Sequence, residues 1–279
     1  MRVHSNAQIA FTANRTQKNE MSIEKSLGKL TTGKEMPKGS DNASGVTISE
    51  KMRAQIRGLA RAQHNMNDGL SALETMNEGM NNISGLTDRA RELAILAATD
   101  TLTDEDRAIA QGELTNILDS IDETAQNLEF NTRAILGEAI PLVIQIGSNA
   151  NQKIEINLIE VTAEKLGLIK TGPNAPKRDE LIATREHAEA FIQNIDDATA
   201  AISKHMTEIG SKMQAIESHM ANAAMYESNL TRALSQLEDV SVSKEMMHFV
   251  QSDIRQQGDQ LLIRQVNTNL KEILQLFQP

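Results

Sequence analysis

A chain of 279 residues with 2% aromatics, no Trp, one Tyr, no Cys and a formal net charge of −10 lacks the large rings on which an ordinary core of this size leans and the thiols for disulfides or Cys-based metal sites. The acidic balance and the scarcity of stacking rings exclude the basic, aromatic platform of a nucleic-acid binder and disfavour anionic membrane surfaces. Prolines stand only at Pro37, Pro141, Pro173, Pro176 and Pro279, so long stretches run without a helix breaker and packing falls to Leu, Ile, Ala and Met on narrow helix seams.

Residues 1–32 read as a moderately amphipathic helix with apolar Ile9, Ala13, Met21, Leu27 and Leu30, its face interrupted by Gln17, Lys18 and Asn19; alone, such a segment is expected to be disordered. No apolar stretch in it resembles the h-region of a cleavable secretory signal. Residues 33–45, rich in Gly with a Pro, an Asp and an Asn, form a loop and a domain boundary. From 46 to 98 a heptad stripe runs through Met52, Leu59, Met66, Leu73 and Met80, with Ile56, Gln63, Leu70 and Asn77 on the second seam position. Residues 99–103 break the helix, and Thr103 with Asp106 forms a variant of the Ser/Thr-x-x-acid cap. A second helix over 104–128 carries Ala110, Leu114, Ile117, Ile121 and Leu128.

The period changes over 140–160. Leu142, Ile144 and Ile146 alternate with Val143 and Gln145, and Ile154, Ile156 and Leu158 with Glu155 and Asn157, around a GSNANQ loop; this pattern predicts a β-hairpin. TGPNAP at 171–176 is a linker or loop tip. A long helix over 178–235 bears a second heptad stripe, Ile195, Ile202, Ile209, Ile216, Ala223, Leu230 and Leu237. A last amphipathic helix covers 243–277, with Met246, Phe249, Ile263, Val266, Leu270, Ile273 and Phe277.

A sustained seven-residue repeat holds one apolar seam toward a partner helix. The fold class expected is therefore mainly α: long antiparallel coiled-coil helices forming a rod, with a small β-hairpin element. Residues 1–42 with 236–279 are expected to make a discontinuous terminal coiled-coil domain, and 43–235 a helical rod domain with the hairpin near 140–160. Met52, Leu59, Met66, Leu73, Ile195, Ile202, Ile209 and Ile216 are the candidate assembly seams. Methionine is frequent there, and core filling by an adaptable side chain explains it. No span of 18 apolar residues is present, so no transmembrane helix is expected.

Chemistry is hard to find. The six His are scattered, no HExxH occurs, and there is no glycine-rich phosphate loop or nucleophile elbow. Neither an enzyme nor a cofactor is expected. The acidic run Asp104, Glu105 and Asp106 suits the positive end of a helix dipole.

Residues 27–58, LGKLTTGKEMPKGSDNASGVTISEKMRAQIRG, resemble the N-terminal signature of bacterial flagellins, near word for word from Ser40 to Gly58. HNMNDGLSALETMNEGM (64–80), RARELAILAA (89–98), EFNTRAILG (129–137) and NLTRALSQLEDVSVSKEM (229–246) resemble further stretches of that family in the same order. The closing ILQLF is similar to its LQLL ending, although the polar opening RVHSNAQIAFTANRTQKN and Lys271–Glu272 depart from it.

The resemblance implies a short flagellin with two core domains and no outer variable domain. Such a chain is exported unfolded, folds its terminal helices on assembly, and polymerises into the extracellular filament that drives motility. It implies self-association, with a flagellar export chaperone, cap and hook-junction proteins as partners. A minor flagellin, a hook–filament junction protein or a flagellin-like adhesin are the alternatives. In flagellins sensed by the vertebrate flagellin-recognising Toll-like receptor, an Arg, a Leu and a Glu match Arg89, Leu93 and Glu113 here. Those three are candidates for receptor contact or, more simply, for subunit contact.

Overall fold

The computed structural model describes residues 5–36, 42–137, 140–169 and 177–276, with side chains over 10–36, 42–137, 140–169 and 177–268. The expected loop tip at 171–176 lies outside the described residues, as do 37–41 of the first loop and the side chains of Ile9, Leu270, Ile273 and Phe277. Among the described residues there are five long helices and two small antiparallel strand pairs, in the order α1 (Ser5–Thr32), α2 (Ala43–Ala97), α3 (Asp104–Asn127), β1 (Glu129–Phe130), β2 (Arg133–Ala134), β3 (Leu142–Gln145), β4 (Lys153–Ile156), α4 (Arg185–Glu238) and α5 (Val242–Leu276). The mainly α class is as expected. Packing divides the chain into two compact units, Met1–Ile56 with Ser228–Pro279, and Arg57–Glu227. The divide falls inside α2 and α4, whereas the sequence suggested 42/43 and 235/236.

The 57–227 unit holds the apolar core. Leu59, Met66, Leu73 and Met80 of α2 and Ile195, Ile202, Ile209 and Ile216 of α4 are all buried in it. Gln63 donates to Glu227 at 2.9 Å, and Arg91 meets Asp196 at 3.0 Å, so α2 and α4 run antiparallel here. Helix α3 begins where predicted: the Asp106 amide donates to Thr103 Oγ1 at 3.2 Å, and its Ala110, Leu114, Ile117 and Ile121 are buried.

The β3–β4 hairpin pairs Leu142 with Ile156 and Ile144 with Ile154; Ile144 and Ile156 are buried while Val143 faces out, the alternation read from the sequence. It sits against α2, where a side chain at Gly58 would meet Cβ of Ser148 at 2.7 Å. The second strand pair, β1–β2, was not predicted. Its two-residue strands are too short to show a period. Asn131 and Thr132 turn it, with φ of 50° and 63°, the left-handed pair of a type I′ hairpin.

Helix α4 starts at Arg185, not at 178. Residues Arg178–Glu180 make a single 3-10 turn, and Thr184 caps the helix, its Oγ1 accepting from the His187 amide at 3.2 Å. The irregular chain ahead of it is held by polar side chains of α3. Gln111 donates to the Arg178 carbonyl at 2.9 Å and accepts from the Ile182 amide at 2.7 Å; Asp122 accepts from the Ala163 amide at 2.8 Å. Backbone groups that lack a ladder are satisfied in this way.

In the other unit α1 and α5 pack antiparallel: Asn19 bonds Asp259, Ser22 lies 3.3 Å from Ser252, and Ser26 donates to Glu245 at 2.6 Å. Helix α1 ends at Gly33, whose φ of 68° is the left-handed cap conformation. The chain just beyond pairs with the α4–α5 connection, Glu35 N donating to Glu238 O at 2.7 Å and Val240 N to Gly33 O at 3.0 Å. Arg53 and Ser49 of α2 hold the Glu238 side chain. Burial opposes ionisation of that carboxyl, but the hydrogen bonds from Arg53 and Ser49, with the Arg53 and Lys34 charges, outweigh it and hold Glu238 below the usual carboxylate range.

Candidate functional site

Seven of the eight candidate seam residues, Leu59, Met66, Leu73, Ile195, Ile202, Ile209 and Ile216, lie in the interior of the 57–227 unit; Met52, in the other unit, is half-buried. The seven stabilise one copy and are not displayed to another. Surfaces for a neighbour lie elsewhere.

Arg89 of α2 and Glu113 of α3 stand on the exposed side of their helices. Arg89 Nε and Nη2 donate to Glu113 Oε1 at 3.0 and 2.7 Å, and Nη1 to Glu92 at 2.6 Å. The Glu113 carboxylate first, then Glu92, holds the guanidinium above its ordinary range. Leu93 is buried, with 3% of its surface exposed. The structure thus brings Arg89 and Glu113 together and puts Leu93 in the core. Two turns along α2 from Arg89, and one turn back along α3 from Glu113, the same outer side carries Leu96 and Ile109. Both are exposed, Ile109 to 72%.

The pair α1–α5 has a more polar seam than an ordinary helix pair. Its buried residues among those described are Ser26, Ser252 and Asp259. Asp259 is 1% exposed and takes a hydrogen bond from Asn19 at 2.8 Å and an ion pair from Arg15 at 3.0 Å. Many of the pair's apolar side chains face outward: Phe11, Met21, Leu27, Met247, Val250, Ile254, Leu261 and Leu262 are all exposed, while Ile23, Leu30, Phe249, Ile263 and Val266 are half-buried. The patchy face expected from the sequence did not reveal that Ser26, Ser252 and Asp259 are the fully buried positions, because nothing in one helix alone says which face meets the other.

A recess of about 640 Å³ opens in the 57–227 unit between the β3–β4 loop and α4. Ser148, Asn149, Asn151 and Gln152 form one wall, His219, Asn222 and Tyr226 the other, and Leu59 and Ala223 also line it. His219, Asn222 and Tyr226 at spacing i, i+3, i+7 on α4 could have signalled a shared face; against the isoleucine stripe they read only as its solvated side.

Among the described residues no three His, Asp or Glu side chains are placed to hold a metal ion, and no helix is long and apolar enough to cross a membrane.

Residues 3–139 match the family described as the bacterial flagellin N-terminal helical region, and 192–277 the bacterial flagellin C-terminal helical region. A flagellin of Halalkalibacterium halodurans is 32% identical over 256 residues, covering 91% of this chain and 92% of that one. A flagellin of Bacillus subtilis is 30% identical over 304 residues, covering 100% of both. Among solved structures, Bacillus cereus flagellin aligns with a TM-score of 0.50 at 23% identity, over 57% of this chain and 88% of that one, a likeness of fold. Two family regions matched in order and relatives aligned over nine-tenths or more of their length place this chain in the bacterial flagellin family, as a structural subunit of the flagellar filament.

Proposed function

We propose that the chain leaves the cell unfolded and that α1 and α5 complete their packing only in the filament, where neighbouring copies cover their outward faces. The observation that carries this is that the fully buried residues of the α1–α5 pair are polar while large apolar side chains of both helices are exposed. A two-helix pair that buries serines and a carboxylate while exposing Phe11, Met247, Ile254 and Leu261 gains little hydrophobic stabilisation of its own. Apolar side chains left in water on a long helix face mark a surface that association covers. Ordering on assembly also keeps the subunit from polymerising early, since the free-energy cost of folding is met only where neighbours supply the missing contacts.

The remaining partners belong to the same reading: an export chaperone to hold the outward faces in the cell, and the hook-junction and cap proteins at the two ends of the filament. For Arg89, Leu93 and Glu113 the placement favours subunit contact over receptor contact, because Leu93 is packed away beneath an exposed charge pair.

Amide hydrogen exchange over 5–32 and 242–276 tests the proposal. Exchange is expected near the free-chain rate in the monomer and slowed by orders of magnitude in the filament, with 57–97 slow in both. Equal protection of α1 and α5 in the two states overturns it.

A further inference from the structure

Core filling accounts for Met66, Met76 and Met80, each at most 1% exposed. It does not account for three methionines of the α1–α5 pair. Met21 is 57% exposed, Met246 45% and Met247 71%. The chain has 13 Met and no Cys, so thioethers are its only sulfur and its softest groups toward a peroxide.

The three lie off the helix seam. Glu245 and Ser252 of α5 meet Ser26 and Ser22 of α1, which fixes the seam side of α5. Met247 stands two residues beyond Glu245, about 200° around the helix, and so on the opposite side. Val250, Ile254 and Leu261 follow it there at helical spacing, and all are exposed. Met247 thus heads an apolar stripe turned away from α1, with Met246 on its flank. On α1, Met21 neighbours Ser22 and points off the same seam. These thioethers meet solvent in the free subunit whether α1 and α5 are ordered there or not.

We infer that Met21, Met246 and Met247 form an oxidation-sensitive site that gates assembly. A peroxide converts them to sulfoxides in the free subunit and blocks its entry into the filament, whereas the assembled subunit is shielded. The inference rests on the filament reading above and names a modification that regulates it. In the step, a sulfur lone pair attacks one oxygen of hydrogen peroxide. The O–O bond breaks, an S–O bond forms, and the departing hydroxide takes up the proton of the transferred hydroxyl to leave as water. Sulfur is oxidised to the sulfoxide and the peroxide is reduced. The product sets a hydrogen-bond acceptor in an apolar stripe, and covering that oxygen without a donor is unfavourable. Met225, 66% exposed but on α4 in the 57–227 unit, is the internal control, comparably exposed and outside the site.

Full-length monomer and filament are treated with the same dose of hydrogen peroxide, sulfoxides are mapped by peptide mass spectrometry, and the critical concentration for polymerisation is measured. In the monomer Met21, Met225, Met246 and Met247 are expected to oxidise about tenfold faster than Met66, Met76 and Met80, or more. In the filament Met21, Met246 and Met247 are expected to fall to the slow rate. Oxidised monomer is expected to need about a tenfold higher concentration to polymerise, and a pair of methionine sulfoxide reductases, one for each epimer, to restore the original value. Met21→Leu with Met246→Leu and Met247→Leu, which conserves side-chain volume, is expected to polymerise equally well before and after peroxide. Met225→Leu is expected to remain as sensitive as the wild type.

Wild-type monomer that polymerises unchanged with all three sulfoxides formed overturns the gate and leaves the filament reading standing. A triple variant as peroxide-sensitive as the wild type does the same. Independently of any variant, a loss of assembly that persists after the reductases have restored the three thioethers also overturns the gate. Failure of the untreated wild-type chain to polymerise, alone or on filament seeds, overturns the filament reading and the gate with it.

Discussion

Thr132 holds a β-branched side chain at a φ of 63°, in the left-handed region where such residues are strained. Its neighbour Asn131, at 50°, tolerates that region better because its short amide can bond locally. The turn thus places Thr where a type I′ hairpin favours Gly. Thr132→Gly is expected to stabilise the 57–227 unit by about 1 kcal/mol, read as a shift in the urea midpoint at unchanged slope. Gly58 shows the opposite constraint, since Cβ of Ser148 already occupies the space a side chain would need. At this scale single residues decide where the chain turns and where a hairpin can seat, and the filament signature ending in Gly58 has a physical content: the last glycine makes room for the loop that walls the Tyr226 groove.

Among the elements, the helices that earn their burial by heptad repeat were legible from the sequence. The stripes through Leu59 and Met80 and through Ile195 and Ile216 gave α2 and α4, and Thr103 gave the start of α3. What escaped was decided by polar groups acting across distance. Gln111 pins the 3-10 turn and Ile182, which delays α4 to Arg185, and no local pattern announces it. The α1–α5 pair is the stronger case, because its seam is written in Ser22, Ser26, Ser252 and Asp259, residues that read as solvent-facing in any one helix. The cysteine-free chain makes that seam testable. Ser22 and Ser252 hydroxyls lie 3.3 Å apart, within reach of disulfide geometry. Ser22→Cys with Ser252→Cys is expected to cross-link in near-quantitative yield within filaments, while Met21→Cys with Ser252→Cys, whose first position points away, does not. Equal yields from the two pairs would mean that α1 and α5 meet in another register.

For the whole molecule, the two units differ in kind: one has an apolar interior, the other a polar one. Limited proteolysis of the monomer is therefore expected to trim the chain from both ends and to stop at a stable fragment close to 57–227, because cleavage tracks local opening. In filaments the full chain should survive the same protease. Uniform degradation of the monomer without a surviving fragment would show that the apolar unit does not stand by itself. The surfaces follow the same division, with exposed apolar side chains on α1 and α5 and a preformed recess in the 57–227 unit.

Asp259 carries one more consequence. Sliding α1 against α5 by a single helical turn, about 5.4 Å, would take its carboxylate away from Arg15 and Asn19, a cost of several kcal/mol for a buried charge left unpaired. The seam therefore has one detent rather than a smooth track. Whatever strain an assembly of these subunits must absorb, this pair of helices is expected to move as one piece and to pass the displacement on to contacts that lack such a stop.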